Sequence, residues 1–168
     1  MNEEKLNEMF EIFKPMSKAK HCNRNHLVRA FGSIFGAYAD NAWRVVGITE
    51  EALKAFALID FKRIPNKKDP IAVERAHIHK RAVWVEELFK TEWTSANEWW
   101  DFIYKNDRTV LATTKENYES DNMGIPLKIA YEIPDNGQYF VSQYIGCKYR
   151  TKVERVLLED FYHAGIAQ

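Results

Sequence analysis

The strongest constraint on the fold is a change of hydrophobic period at Arg63-Ile64-Pro65-Asn66-Lys67-Lys68-Asp69-Pro70. Two prolines and a lysine pair make this stretch an exposed loop, because proline neither continues a helix nor donates to a sheet. Before the loop, apolar residues recur at spacings of three and four. Leu6, Met9, Phe10 and Phe13 form one stripe, and Leu27, Phe31, Ile34, Phe35 and Tyr38 a second. The spacing predicts a helix over 3–14, stopped by Pro15, and another from Asn25. Gly32 and Gly36 interrupt the second helix. Each costs roughly 1 kcal/mol relative to alanine, or else marks the close approach of a neighbour. Thr49 caps a third helix over 50–61, with Leu53, Phe56 and Ala57 on one side. Residues 1–61 are therefore expected to be a helical subregion.

Beyond the loop the elements shorten. Residues 71–79 read as a strand, and Ala82 to Lys90 as a weak helix. Ser95 with Glu98 is a capping box for a helix through Tyr104 that buries Trp99, Phe102 and Ile103. Thr109 to Thr113 is rich in β-branched residues and reads as a second strand, followed by a short helix from Thr114 to Glu119 and a turn ending at Gly124. Ile129–Ile133 and Tyr139–Gln143 flank Pro134-Asp135-Asn136-Gly137, and Asn-Gly tolerates positive φ, so a hairpin is expected. Val153, Val156, Leu157, Phe161 and Ala164 set a last helix from Lys152, stopped by Gly165. Helices followed by short strands mixed with helices indicate an α+β fold rather than a doubly wound sheet. The 168 residues fit one domain, in which the proline loop is an element boundary rather than a linker.

Composition narrows the function classes. With 46% hydrophobic and 14% aromatic residues the chain can bury a core. No run approaches the ~18 apolar residues of a membrane span. Met1-Asn2-Glu3-Glu4-Lys5 lacks the basic start and apolar core of a signal peptide, so a cytoplasmic location is expected. Cys22 and Cys147 are too few for a disulfide framework and read as buried thiols. His21, Cys22 and His26 match no zinc spacing and read as surface loop. The 24 basic residues balance 24 acidic ones, so any case for nucleic acid rests on charge placement. Lys67, Lys68, Lys80 and Arg81 cluster around the first strand, and Lys148, Arg150 and Lys152 form a second group; both could grip phosphates or simply be solvated faces. Trp93, Trp99, Trp100, Phe102 and Tyr104 could stack on bases. For Trp99 and Phe102, core packing is the simpler reading.

Two segments carry chemistry: Val73-Glu74-Arg75-Ala76-His77-Ile78-His79-Lys80, and Asn106-Asp107 leading through Val110-Leu111-Ala112-Thr113-Thr114-Lys115-Glu116-Asn117. Strand alternation puts Arg75, His77 and His79 on one face and Glu74, Ala76 and Ile78 on the other. A histidine with an ordinary pKa of roughly 6.5 suits a general base. A hard cation such as Mg²⁺ takes oxygen ligands and keeps several waters, so one amide oxygen with one or two further donors is adequate. Taken singly, a strand histidine and an asparagine early in a helix are as readily structural.

Ala76-His77-Ile78, followed by a basic turn, resembles the first motif of the HNH (His-Me finger) endonucleases, in a branch that reads Ala-His-Ile-x-Pro. Val110 to Asn117 resembles the strand-helix that closes the family's motif. With Ser120-Asp121-Asn122 it also resembles the HNH domain of RNA-guided CRISPR nucleases. The resemblance spans residues 71–122. It implies a ββα-metal-like core with a long helical insertion, flanked by the helical N-terminal third and a C-terminal hairpin and helix. In it His77 would be the general base and Asn106 would orient the His77 loop. Asn117 would ligate one divalent cation, Mg²⁺ or Mn²⁺, helped by His79 or, less directly, Asp121. Ala76 departs from the pattern, since many members carry an acidic ligand there. The implied activity is metal-dependent cleavage of double-stranded DNA, as in restriction, homing or phage enzymes, with a homodimer cutting both strands. The competing expectation is a non-catalytic nucleic-acid- or protein-binding α+β module.

Overall fold

A computed structural model describes residues 2–19, 21–38, 44–135, 139–140, 142–143 and 146–166. Helix α1 (Glu3–Ser17) begins at Asn2, whose side chain accepts the Lys5 N–H at 2.9 Å. Pro15 lies inside α1 instead of ending it, because a proline in the last turn removes a single hydrogen bond. Helix α2 (Arg24–Tyr38) follows. Between it and α3 runs a strand, β1 (Arg44–Ile48), in a stretch expected to be helical. Four of its five residues are buried, and so short an apolar run shows no period of its own. Helix α3 (Glu50–Ala57) is capped by Thr49 as expected, but ends early. Asp60 and Phe61 adopt φ of 54° and 53°, which no helix continues.

Strand β2 (Val73–His77) leads through α4 (Arg81–Lys90) and α5 (Ala96–Asn106) to β3 (Arg108–Thr113), and β3 turns straight into α6 (Thr114–Met123). The sheet order is β2-β3-β1-β4, with β4 at Tyr131–Glu132. β3 pairs antiparallel with β2, setting Ala76 opposite Val110 and His77 opposite Thr109, and parallel with β1. The expected hairpin is not formed among the described residues. β4 adds to the open edge of β1, with Ala130 N–H bonded to Ile48 O and Ile133 N–H to Val46 O, both at 3.0 Å. β5 (Ser142–Gln143) pairs instead with β6 (Gly146–Cys147). Asn136 and Gly137 lie outside the described residues. The last helix, α7 (Thr151–Ile166), contains Gly165 rather than stopping at it. A Cβ there would collide with the Tyr131 hydroxyl, so this glycine serves close packing.

Two hydrophobic cores result. In the first, α1 and α2 pack on the inserted α4 and α5 through Phe10, Phe13, Phe31, Trp84, Phe89 and Trp99. Phe13 lies 4.9 Å from Phe89 and 5.2 Å from Trp99, ring to ring. The second core joins the sheet to α3 and α7 through Ile48, Phe56, Leu111, Phe140 and Leu158. The fold is thus α+β with a helical amino-terminal region. Trp99 is buried in the first core, while Trp93 and Phe102 pack on each other at 5.1 Å against it, as core packing predicts. Cys22 is exposed rather than buried, and Cys147 is half-buried. Among the described residues, no helix is long and apolar enough to cross a membrane.

Candidate functional site

The direct passage from β3 into α6 is held by Thr113. Its hydroxyl accepts the Glu116 N–H at 3.2 Å, and the Glu116 carboxylate accepts the Thr113 N–H at 2.9 Å. The same carboxylate takes the Thr49 hydroxyl at 2.8 Å, so one side chain joins the ends of two adjacent strands. This fixes Asn117 in the first turns of α6. Its amide donates to Glu74 at 2.8 Å, tying the helix to edge strand β2. Asn117 and Asp121, one turn apart, then line a cleft of 360 Å³ together with Arg75, His77, Lys80, Arg81 and Ala82. Lys80 donates to the Asp121 carbonyl at 2.6 Å and so fastens the start of α4 to the end of α6.

Arg81 is the first residue of α4, and its guanidinium lies 5.8 Å from the Phe31 ring centre. Gly32 makes room for it: a Cβ there would come within 2.8 Å of Arg81 Nη2. The glycine inside α2 therefore marks a close approach, not a weakness.

His77, at the end of β2, keeps only 24% of its side-chain surface exposed. Burial, with Arg75 and Arg81 adding repulsion, holds its imidazole down to about 4, so it is neutral at neutral pH. Its Nε2 is 3.9 Å from Asp107 Oδ1, within ion-pair range but beyond a hydrogen bond. Asp107 caps the end of α5 and is only 3% exposed. Burial pushes its carboxyl up to about 7, against the pull of Arg81, Arg75 and Arg44. Its Oδ1 has no hydrogen-bond partner among the described residues.

The structure thus brings His77 and Asn117 to one cleft with Lys80, Arg81 and Asp121, and leaves the other expected residues outside its lining. Asn106 donates to Phe102 O at 2.8 Å within its own helix. No described hydrogen bond takes it to the His77 loop, which is held instead by the Ile78 N–H on Arg108 O at 3.0 Å. His79 falls beyond the last residue of β2, where strand alternation ends, and is exposed. Ala76 is 1% exposed and absent from the lining, so its position offers the cleft no ligand. Lys67, Lys68, Lys148 and Lys152 are exposed elsewhere, and Arg150 Nε sits 3.5 Å from the buried Glu154 carboxylate. Two further residues contribute, Arg75 and Asp107. Arg75 shares the pleat face of His77, which alternation shows. Asp107 had no signal beyond standing next to Asn106.

A resident divalent cation does not fit this donor set. The lining offers one carboxylate (Asp121), one side-chain amide and a neutral imidazole, against the cationic heads of Arg75, Lys80 and Arg81. Among the described residues, no three His, Cys, Asp or Glu side chains gather to hold a metal. Three cations around two oxygen-bearing side chains favour an anion. No protein family, curated protein or solved structure matches this chain.

Proposed function

We propose that the chain is a nucleic-acid phosphodiesterase, a DNA endonuclease in which His77 is the general base. The observation that carries this reading is the convergence of His77, from the end of β2, and Asn117, from the helix directly after β3, on one cationic cleft. The β2–β3–α6 order supports the likeness to the HNH endonucleases, with α4 and α5 as the insertion.

In the proposed reaction the phosphodiester enters against Arg75, Lys80 and Arg81. His77, neutral at neutral pH, takes a proton from water as the oxygen attacks phosphorus. The bond to the leaving oxygen breaks, and the charge gathering there and on the phosphoryl oxygens is balanced by the three cations. Asp107, facing Nε2 from behind, stabilises the imidazolium as it forms. The divalent cation expected from sequence is given no step here, because the donors of this lining do not suit one. Two copies of a one-site enzyme would cut both strands of a palindrome.

Plasmid nicking tests this, with Mg²⁺, with Mn²⁺ and with EDTA. Wild type should nick, and His77→Ala should be slower by on the order of 100-fold or more, the usual contribution of a general base. Full activity in His77→Ala would remove the base. A second reading, a nucleic-acid-binding module without catalysis, is favoured by the same cationic lining together with the low basicity of His77. DNA binding with no nicking in any condition would select it.

A further inference from the structure

We propose that the cleft between β2, α4 and α6 is a site for a phosphate dianion, held by Arg75, Lys80 and Arg81 without a bridging metal ion. This deepens the phosphodiesterase reading by naming the phosphate form that the cleft holds best.

The lining carries three basic side chains, Arg75, Lys80 and Arg81, against one carboxylate, Asp121, with His77 neutral. Glu74 lies outside the lining, bonded to Asn117, and Asp107 sits behind His77 with its carboxyl raised by burial. A lining richer in cations than in carboxylates attracts the doubly charged phosphomonoester or inorganic phosphate more strongly than the singly charged phosphodiester. The supports are also set in advance. Arg75 projects from a paired strand, Arg81 is seated between Phe31 and the bare face of Gly32, and Lys80 is tied to α6. The amino end of α4, ten residues long with no acidic residue in its first turn, adds its positive partial charge. Planar guanidinium forks suit phosphate oxygens. One consequence follows for the proposed reaction. Hydrolysis turns a monoanionic diester into a monoester end that is largely dianionic at neutral pH, so the cleft retains the product's phosphate more tightly than the substrate's.

The full-length chain in EDTA at low ionic strength is titrated with methyl phosphate, inorganic phosphate and dimethyl phosphate, following the amide resonances of Lys80, Arg81, Ala82 and Asn117. Methyl phosphate and inorganic phosphate should give saturable shifts at these amides. Dimethyl phosphate should bind about tenfold more weakly, and Arg75→Gln and Lys80→Gln should each weaken methyl phosphate by a similar factor, the loss of about one charge-assisted contact. Lys62→Gln, an exposed lysine paired with Asp60 outside the lining, should change nothing. Circular dichroism checks each variant; Lys80, on an exposed position, keeps the test valid if Arg75→Gln does not fold. Absence of saturable shifts in the folded wild type overturns the proposal. So does equal affinity for dimethyl phosphate, or binding that appears only after Mg²⁺ is added. Nicking is not a readout, so failure of the hydrolase reading leaves this result standing.

Discussion

His77 ties folding stability to pH in a way that can be isolated. In the unfolded chain its imidazole titrates at the ordinary 6.5, while in the folded protein it is held to about 4. The unfolded state therefore takes up the proton first. Stability from the neutral imidazole is fully present above 6.5, drains as pH falls, and is gone below about 4. At about 1.36 kcal/mol for each pH unit between 6.5 and 4, the loss is about 3 kcal/mol. With 24% of the side chain exposed, solvent screening reduces this little. Asp107 works in the opposite sense. Its carboxyl, raised from 3.8 to about 7, takes a proton first in the folded state, so its protonation restores stability over the same range and masks His77 in the wild type. His77→Gln keeps a polar side chain and deletes only the histidine titration. Urea unfolding of both proteins at pH 7 and pH 4 isolates it. The wild type should lose about 3 kcal/mol relative to His77→Gln on acidification. A relative loss under about 1 kcal/mol would refute the reasoning, as would a His77 ring-proton titration centred at its ordinary value.

Two other outcomes follow from buried groups. Glu154 is wholly buried and accepts the Phe140 N–H at 3.0 Å and the Arg150 N–H at 2.7 Å, so Glu154→Ala should cost about 3–6 kcal/mol in urea unfolding, at roughly 1.5–3 kcal/mol for each charge-assisted bond; a loss under about 1 kcal/mol would mean that both N–H groups find other partners. Ala76→Asp restores the acidic residue common in the resembling family, but at a 1% exposed position outside the cleft. It should lower the thermal midpoint, as burial of an unpaired carboxyl demands, and gain no Mg²⁺-stimulated nicking. A stable variant with metal-stimulated nicking would place that side chain in the cleft after all.

Local chemistry was legible wherever one residue decides the geometry. Thr49 and Ser95 each begin a helix through a side-chain oxygen, and Leu6, Met9, Phe10 and Phe13 of α1 and Phe31 and Phe35 of α2 are buried where the period put them. What stayed hidden depends on partners distant in sequence. β1 is identifiable only beside β3, and β4 only once β1 offers an edge. At the cleft, His77, Lys80, Arg81, Asn117 and Asp121 were legible because short motifs carry them. Asn106 and His79 were misplaced because pleat counting was carried past His77 and because Asn106 bonds within its own helix. Asp107 meets His77 only through the pairing of β2 with β3, which no local pattern announces.

The packing of α1 and α2 on α4 and α5 also orders events in time. Phe10 and Phe13 meet Trp99 at 5.7 and 5.2 Å, so the α1 stripe, covered in part by Phe89 of α4, is not closed over until α5, which ends at Asn106, has been made. At translation rates of about 5–20 residues per second, the stripe of α1 waits on the order of 5–20 seconds with its phenylalanines incompletely covered. Chains interrupted before α5 keep that surface exposed, so they should aggregate or be held by chaperones, whereas chains interrupted after it should not. The insertion between β2 and β3 thus sets the moment at which the first half of the chain becomes safe from its neighbours.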